Sequence, residues 1–414
     1  MFPEKDEKVT KTSLRITKLT LSDIGPFPAL NLSFRNDAGI NLICGDNGIG
    51  KTTVLEAITA SFSLGRTHRL KRRQSAESGS SALTIQSDGS EHIIQIQVNE
   101  LDPKQGEFLN YSRSDAKNLI HIRASRDLTY FQQNTISRDP TFDEKNFRQK
   151  VANDLSQNEI KTWLTNRYLL APHANKSSWT PQMLENLETA KRFFSILDPE
   201  VVLDQVDVTS FEVLVSTPNG IIPFELLSSG FRSSYFLLLS ILKELEFRNL
   251  KVSASEFSGV ILIDEIDLHL HPSWQQEIGR ILSSAFPHAQ IIVTTHSPHV
   301  VQTTNSNEVI SLRRNEDGSV ERKSISTGKY GFKGWTIEEI LEDVMGVENT
   351  RTPTFRDAMH NFDTALDMDD SKGVNQALAV LKEMLHEQSP LRKLLEIQSA
   401  PFAFDSSLDE ATRD

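Results

Sequence analysis

One cysteine in 414 residues, Cys44, excludes an intramolecular disulfide framework and any all-cysteine metal cluster, and it suits a reducing compartment. Long apolar runs are missing as well. No stretch reaches the roughly 18 to 20 apolar residues of a membrane span, so no membrane partner is expected. The opening MFPEKDEKVTKTS has no apolar core, which argues against a secretory signal and for a cytoplasmic location. Positive charge is in deficit: 44 Lys and Arg stand against 56 Asp and Glu, a net charge of −12. A generally basic nucleic-acid coat is thereby excluded, although a local basic patch is not. No internal repeat of fixed period is visible. What is present is ordinary for a globular chain, with 24% charged and 38% apolar residues.

The patterning predicts an α/β fold. Residues 13 to 45 alternate and then run apolar, which reads as two half-buried strands around Gly25-Pro26 followed by a short buried strand, GINLICG. GDNGIGKTT follows, and then VLEAITASFSL with helix formers and one apolar face. ALTIQ and HIIQIQV flank the turn residues 87 to 90 and read as a hairpin, and NLIHIRA (118 to 124) as a further strand. A polar, helical insertion is expected at about 140–200, broken at Pro172 and Pro181. Strand-like VVLDQVDV and FEVLVS come next, then a turn opening into an amphipathic helix, FELLSSGFRSSYFLLLSILKELEF. GVILIDEIDLHLHP, QIIVTTHSPHVV and EVISLRR have the continuous apolar character of central parallel strands. Beyond Gly328 the pattern is helical, giving an expected first domain at 13–328, a helical domain at 329–400, and flexible ends at 1–12 and 401–414.

Gly45 to Thr52 fits G-x-x-x-x-G-K-[ST] at every position, between a buried strand and a helix. In such a loop the backbone N–H groups curl around phosphates, Lys51 supplies charge to the outer phosphates, and Thr52 can hold Mg²⁺ at a helix N-terminus. Asn47, Gly48, Gly50, Lys51, Thr52 and Thr53 are the candidate ATP-binding residues here. ILIDE ends a buried strand in two acids, which places Asp264 beside a metal and Glu265 where it can orient and deprotonate water.

The order of this loop, Leu227-Ser228-Ser229-Gly230-Phe231, Ile261 to Glu265 and Thr294-Thr295-His296-Ser297 resembles an ABC-type ATPase head, in the SMC, RecF and OLD-like branch rather than the transporters. LRITKLTLSDIGPFPALNLSF is similar to that branch's N-terminal strands. The resemblance spans roughly residues 13 to 315. It implies a mixed N-terminal β-subdomain, a central mostly parallel sheet and a composite site in which Ser228, Ser229 and Gly230 bind nucleotide held by a second copy. LSSGF departs from the LSGGQ signature at its third and fifth positions. His296 becomes the switch histidine, and Asp267, His269 and His271 the D-loop, although most transporters carry aspartate where His271 stands. Gln132 and Gln133 are candidates for the Mg²⁺-sensing glutamine, or surface residues of a loop. Read without the family, a serine and glycine at a helix start also make an N-cap, and His269 and His271 could suggest zinc, which would want further ligands.

Arg66, Arg69, Lys71, Arg72 and Arg73, with His68, form the densest positive run of the chain. It is either a nucleic-acid contact through phosphates or a solvated face. The insertion is too short for SMC coiled coils, and after residue 330 no strand-borne E…DxD set accompanies the tail acids; Asp367 to Asp370 read as a helix cap or turn. The tail GWTIEEILEDVMGVENTR and PLRKLLEIQ resembles ABC-type ATPases of phage-defence operons, the PtuA type of Septu and certain retrons. Those work with a separately encoded nuclease. The implied function is a regulatory ATPase that uses ATP and Mg²⁺, dimerises head to head and gates a DNA-directed effector. The alternatives are a RecF-like repair clamp and a self-contained nuclease.

Overall fold

In a computed structural model the residues described are 13–67, 69–102, 104–110, 114–126, 129–137, 139–140, 148, 155–176 and 179–402. His68 and nearly all of the two expected flexible ends lie outside them. The chain divides into two compact units, with the boundary between Gly346 and Val347.

The first unit is organised by a six-stranded sheet. Its strands are β3 (Gly39–Gly45), β8 (Leu119–Ile122), β12 (Val260–Ile263), β13 (Gln290–Thr294), β14 (Val309–Arg314) and β15 (Val320–Lys323). They run in the order β15-β14-β3-β13-β12-β8, with only the β14–β15 pair antiparallel. Continuous apolar sequence explains why this sheet is buried on both faces. In β12, Ile261 and Ile263 join one core while Val260 and Leu262 join the other.

The first of these cores receives α2 (Gln157–Leu170), α3 (Pro181–Ile196) and α4 (Ser229–Phe247), through Trp163, Phe193, Phe194 and Leu238 among others. The second core receives α1 (Lys51–Ala60) and an antiparallel sheet made of β1 (Leu14–Ile24), β2 (Phe27–Ser33), β5 (Gly79–Ser87) and β6 (Ser90–Val98), in the order β2-β1-β5-β6. Gln290, fully buried at the start of β13, ties the two sheets: its amide accepts from Ile16 N–H at 2.7 Å and donates to Ile16 O at 2.8 Å. Smaller pieces complete the unit. β4 (Leu64–Thr67) pairs with β7 (Glu107–Asn110), and β9 (Val202–Val206), β10 (Val213–Thr217) and β11 (Gly220–Pro223) form a three-stranded sheet.

α4 differs from its reading as a helix with one polar face. Lys243 and Glu244 look like that face in sequence, yet both are fully buried, paired with each other at 2.9 Å and with Glu159 and Arg248. Burial of charge is tolerable only with such partners. The stretch after Gly328 packs in the first unit, where Phe332, Ile340, Val344 and Met345 enter its core. Thr336 and Glu339 form a capping box there, and Ile340–Val344 is a π-helical turn rather than an extended helix.

The second unit contains α6 (Pro353–Asp367), α7 (Ser371–Met384) and α8 (Pro390–Ser399), packed around Phe355, Phe362, Val374, Leu381 and Leu395. Asp370 caps α7 by accepting from Lys372 N–H. Among the described residues no helix is long and apolar enough to cross a membrane.

Candidate functional site

Parallel strands deliver their carboxyl ends, and the loops that follow, to one edge of a sheet. That edge here collects residues 46–50 after β3, 123–126 after β8, 264–271 after β12 and 295–297 after β13. The strand carrying Asp264 is not the neighbour of β3; β13 lies between them.

The loop after β3 is held open by glycine. A Cβ on Gly45 (φ +143°) would lie 2.5 Å from Leu312 O, and one on Gly50 (φ +111°) 2.3 Å from the Phe27 ring. Neither approach is compatible with a side chain. Gly50 sits at the N-cap of α1, whose first turn carries no acid and receives no side-chain cap, so its amides point outward unspent. Asn47, Gly48 and Thr52 are exposed and Thr53 is half-buried. Lys51 is buried and donates to Gly45 O at 2.8 Å and Asp46 O at 2.9 Å. Burial holds its ammonium below the usual lysine range.

Thr52 meets the strand acids directly. Its hydroxyl lies 2.9 Å and 3.1 Å from the two Asp264 carboxylate oxygens. Thr294, at the end of β13, donates to Asp264 Oδ1 at 2.6 Å and accepts from Glu265 N–H at 2.7 Å. One threonine thus fixes both acids. Glu265 takes a left-handed backbone, φ +50°, which a non-glycine residue adopts only when held. Among the described residues no group hydrogen-bonds its carboxylate. Asp267 Oδ1 accepts from the Thr295 hydroxyl at 2.6 Å and from His296 N–H at 3.2 Å, joining the loop after β12 to that after β13. His296 is exposed; desolvation first, and the Lys51 charge second, lower its imidazole below the usual range and favour the neutral ring.

Ser228, Ser229 and Gly230 form a separate shallow cleft together with His269, His271 and Trp274. Ser228 is the N-cap residue of α4 but makes no side-chain cap bond, and both serines are exposed. His271 caps α5 (Pro272–Ala285), accepting from Ser273 N–H. Among the described residues no trio of His, Cys, Asp or Glu is placed to hold a metal ion. Gln132 is exposed, whereas Gln133 is buried and donates to Thr135 O; neither bonds to the Asp264 group. Cys44 is buried, its thiol pushed up to about 12, and it is inert.

The basic run is placed against the protein's own backbone. Lys71 donates to Asp102 O and Gln105 O, Arg72 to Asn99 O and Ala76 O, and Arg73 to Pro26 O. Arg69 lies 3.7 Å from Glu56 of α1. The side chain of Arg66 lies outside the described residues.

Two participants escape a reading of the sequence. Thr294 looks like one more strand residue until β13 is known to run between β3 and β12. Arg126, in the loop after β8, is buried, and its Nη2 donates to the Glu265 carbonyl. Burial lowers its guanidinium to about 10 against the opposing pull of Asp267, Asp264 and Glu265. The signal available was its place, four residues beyond a buried strand.

A sheet edge that presents a phosphate-loop motif, a threonine–aspartate pair and a following glutamate defines an ABC-type P-loop ATPase. Residues 40–302 match the family described as "AAA domain, putative AbiEii toxin, Type IV TA system", and the chain belongs to it. It is 36% identical to a Septu protein PtuA of Bacillus thuringiensis, over 94% of this chain and 98% of that one. It is 27% identical to a Septu protein PtuA of Bacillus mycoides (strain KBAB4), over 82% of this chain but 44% of that longer relative. A retron Ec83 probable ATPase of Escherichia coli is 34% identical over 32% of this chain and 24% of its own length.

Proposed function

We propose that this chain hydrolyses ATP with Mg²⁺ at the Lys51–Asp264 site, that two copies close head to head over the nucleotide, and that the cycle gates a separately encoded effector acting on DNA in anti-phage defence. The site geometry supports the first part. Lys51 and the α1 amides meet the phosphates, while Thr52 and Asp264 offer adjacent hard oxygen donors, the chemistry that suits Mg²⁺ with substrate phosphates completing its shell. The ion would neutralise charge developing on the transferred phosphoryl group. Glu265, whose carboxylate no described group engages, orients water and takes its proton, while Asp264 serves as the metal's donor and accepts from the Thr294 hydroxyl. His296 in its neutral form offers a hydrogen bond toward the outer phosphate.

The pairing of heads rests on one observation. Ser228 and Ser229 stand exposed at the N-terminus of a 19-residue helix with no cap bond, in a cleft apart from the Lys51–Asp264 group. An uncapped helix start is a place for an anion, and nucleotide on a second copy supplies one. Likeness to the Septu and retron proteins supports the defence role and the external effector.

Mixing tests the composite site. Lys51→Ala and Ser228→Arg should each be inactive alone. Equal amounts together should recover about a quarter of the wild-type rate, since half the pairs are mixed and each mixed pair holds one intact site. No recovery means that the two residues serve the same chain.

For Lys71, Arg72 and Arg73 the hydrogen bonds favour a structural task over a DNA contact. Changing Lys71, Arg72 and Arg73 to glutamine should lower the midpoint of thermal unfolding by about 2–4 °C. If midpoints are equal and DNA retention is weaker with a flatter salt dependence, the run is a nucleic-acid surface.

A further inference from the structure

The least expected group at the sheet edge is Arg126. Its side chain is buried, with 3% of the residue exposed, and of its five N–H donors one is spent on the Glu265 carbonyl while Nε is buried with no partner. Among the described residues it lies within 4 Å of no carboxylate, although the charges of Asp267, Asp264 and Glu265 favour its charged form. A guanidinium is costly to bury in this way. A salt bridge or a full set of hydrogen bonds would account for it structurally, and Arg123, three residues earlier, shows that arrangement with Glu56 at 2.7 Å. Arg126 instead grips the carbonyl of Glu265, one of the two polar backbone groups that hold this residue in place.

That backbone is strained, and its restraints can be named. The Glu265 N–H is held by Thr294 Oγ1, and its carbonyl accepts from Leu268 N–H at 2.9 Å and from Arg126. Pairing of β8 with β12 sets the approach: Ile122 lies opposite Ile263, and Asp264 N–H donates to Ile122 O at 2.9 Å, so the loops after both strands leave side by side. Beyond Arg126 the same loop is anchored elsewhere. Phe131 O accepts from Lys161 Nζ, which also pairs with Glu225, three residues before Ser228.

We propose that Arg126 is a positioning residue for hydrolysis: it fixes the Glu265 peptide so that the carboxylate faces the attacking water, and it acts through Glu265 rather than on the nucleotide. This inference rests on the proposed role of Glu265. A lysine keeps the charge but not the fork, so it cannot hold a carbonyl with the same geometry.

The test is a double-mutant cycle on the full chain, read by single-turnover hydrolysis of γ-labelled ATP with Mg²⁺ over hours, with affinity for a fluorescent ATP analogue measured in parallel. Arg126→Lys should lower the rate about 10- to 100-fold, as a misplacement near 1 Å does, and leave the affinity within about 3-fold of wild type. In a Glu265→Gln background the same change should lower the residual rate by less than 2-fold, because the group through which it acts is gone. Equal losses in both backgrounds would overturn the proposal, as would a parallel loss of affinity and thermal midpoint, the mark of a purely structural arginine. The two readings fail separately: Glu265→Gln with an undiminished rate removes the role of Glu265 and this inference with it. A Glu265→Gln rate that is lowered but measurable, with Arg126→Lys additive to it, removes only Arg126.

Discussion

With Lys51 changed to methionine, ATP turnover is expected to fall at least about 10³-fold while the fold survives. The ammonium is buried, and its contacts are carbonyl oxygens of the loop it springs from, Gly45 O and Asp46 O, rather than any carboxylate. No acid is left unpaired when it goes. Methionine follows nearly the same path and removes a charge that burial already disfavours, so thermal stability should hold or rise slightly. Turnover has no such substitute. Phosphoryl transfer draws its acceleration from fixed positive charge around the transferred group, and Lys51 is the buried ammonium held within the loop between Gly45 and Gly50. Parallel measurement of phosphate release and thermal unfolding checks both halves. A stable Lys51→Met variant that still turns over ATP at more than about a tenth of the wild-type rate would remove the loop from the proposed chemistry.

Much of this site was legible because its parts are local. Gly45, Gly50 and Lys51 fall within one short motif, and the reason for the glycines, a left-handed backbone pressed against Leu312 and Phe27, is what the motif encodes. ILIDE was legible because a strand buried on both faces must be apolar throughout, which makes the acids at its end conspicuous. The rest depends on neighbours distant in sequence. Nothing in the alternation of residues says that β13 separates β3 from β12, and without that order Thr294 has no reason to meet Asp264. Lys243 and Glu244 suggested a polar helix face because sequence does not show Glu159 and Arg248 waiting in the core. The run ending at Arg73 looked like free charge, yet the carbonyls that Lys71 engages lie 31 and 34 positions away. Arg126 resembles any loop arginine until β8 is paired with β12.

Glu265→Gln is the variant in which the two halves of the proposal meet, and it should convert a transient pair of heads into a lasting one. Glutamine has the shape of glutamate, and the contacts that fix residue 265 are made by its backbone to Thr294, Leu268 and Arg126, so the substitution leaves them in place. Lost is the capacity to accept a proton, and with it about 10²- to 10⁴-fold in the hydrolytic step. Lost too is one negative charge beside Asp264 and Asp267, which eases the approach of an anionic nucleotide. Binding is thus retained or strengthened while the step that ends it is removed. With ATP and Mg²⁺ the mass measured by light scattering across a size-exclusion peak should rise from that of the state without nucleotide to twice that value. Adding Ser228→Arg to the same chain should return it to the nucleotide-free value, because an arginine at the start of α4 fills the cleft with Gly230 and His269 that the partner's nucleotide would enter. If Glu265→Gln elutes alike with and without ATP while still binding it, the exposed serines of α4 face no nucleotide and the heads do not close over one.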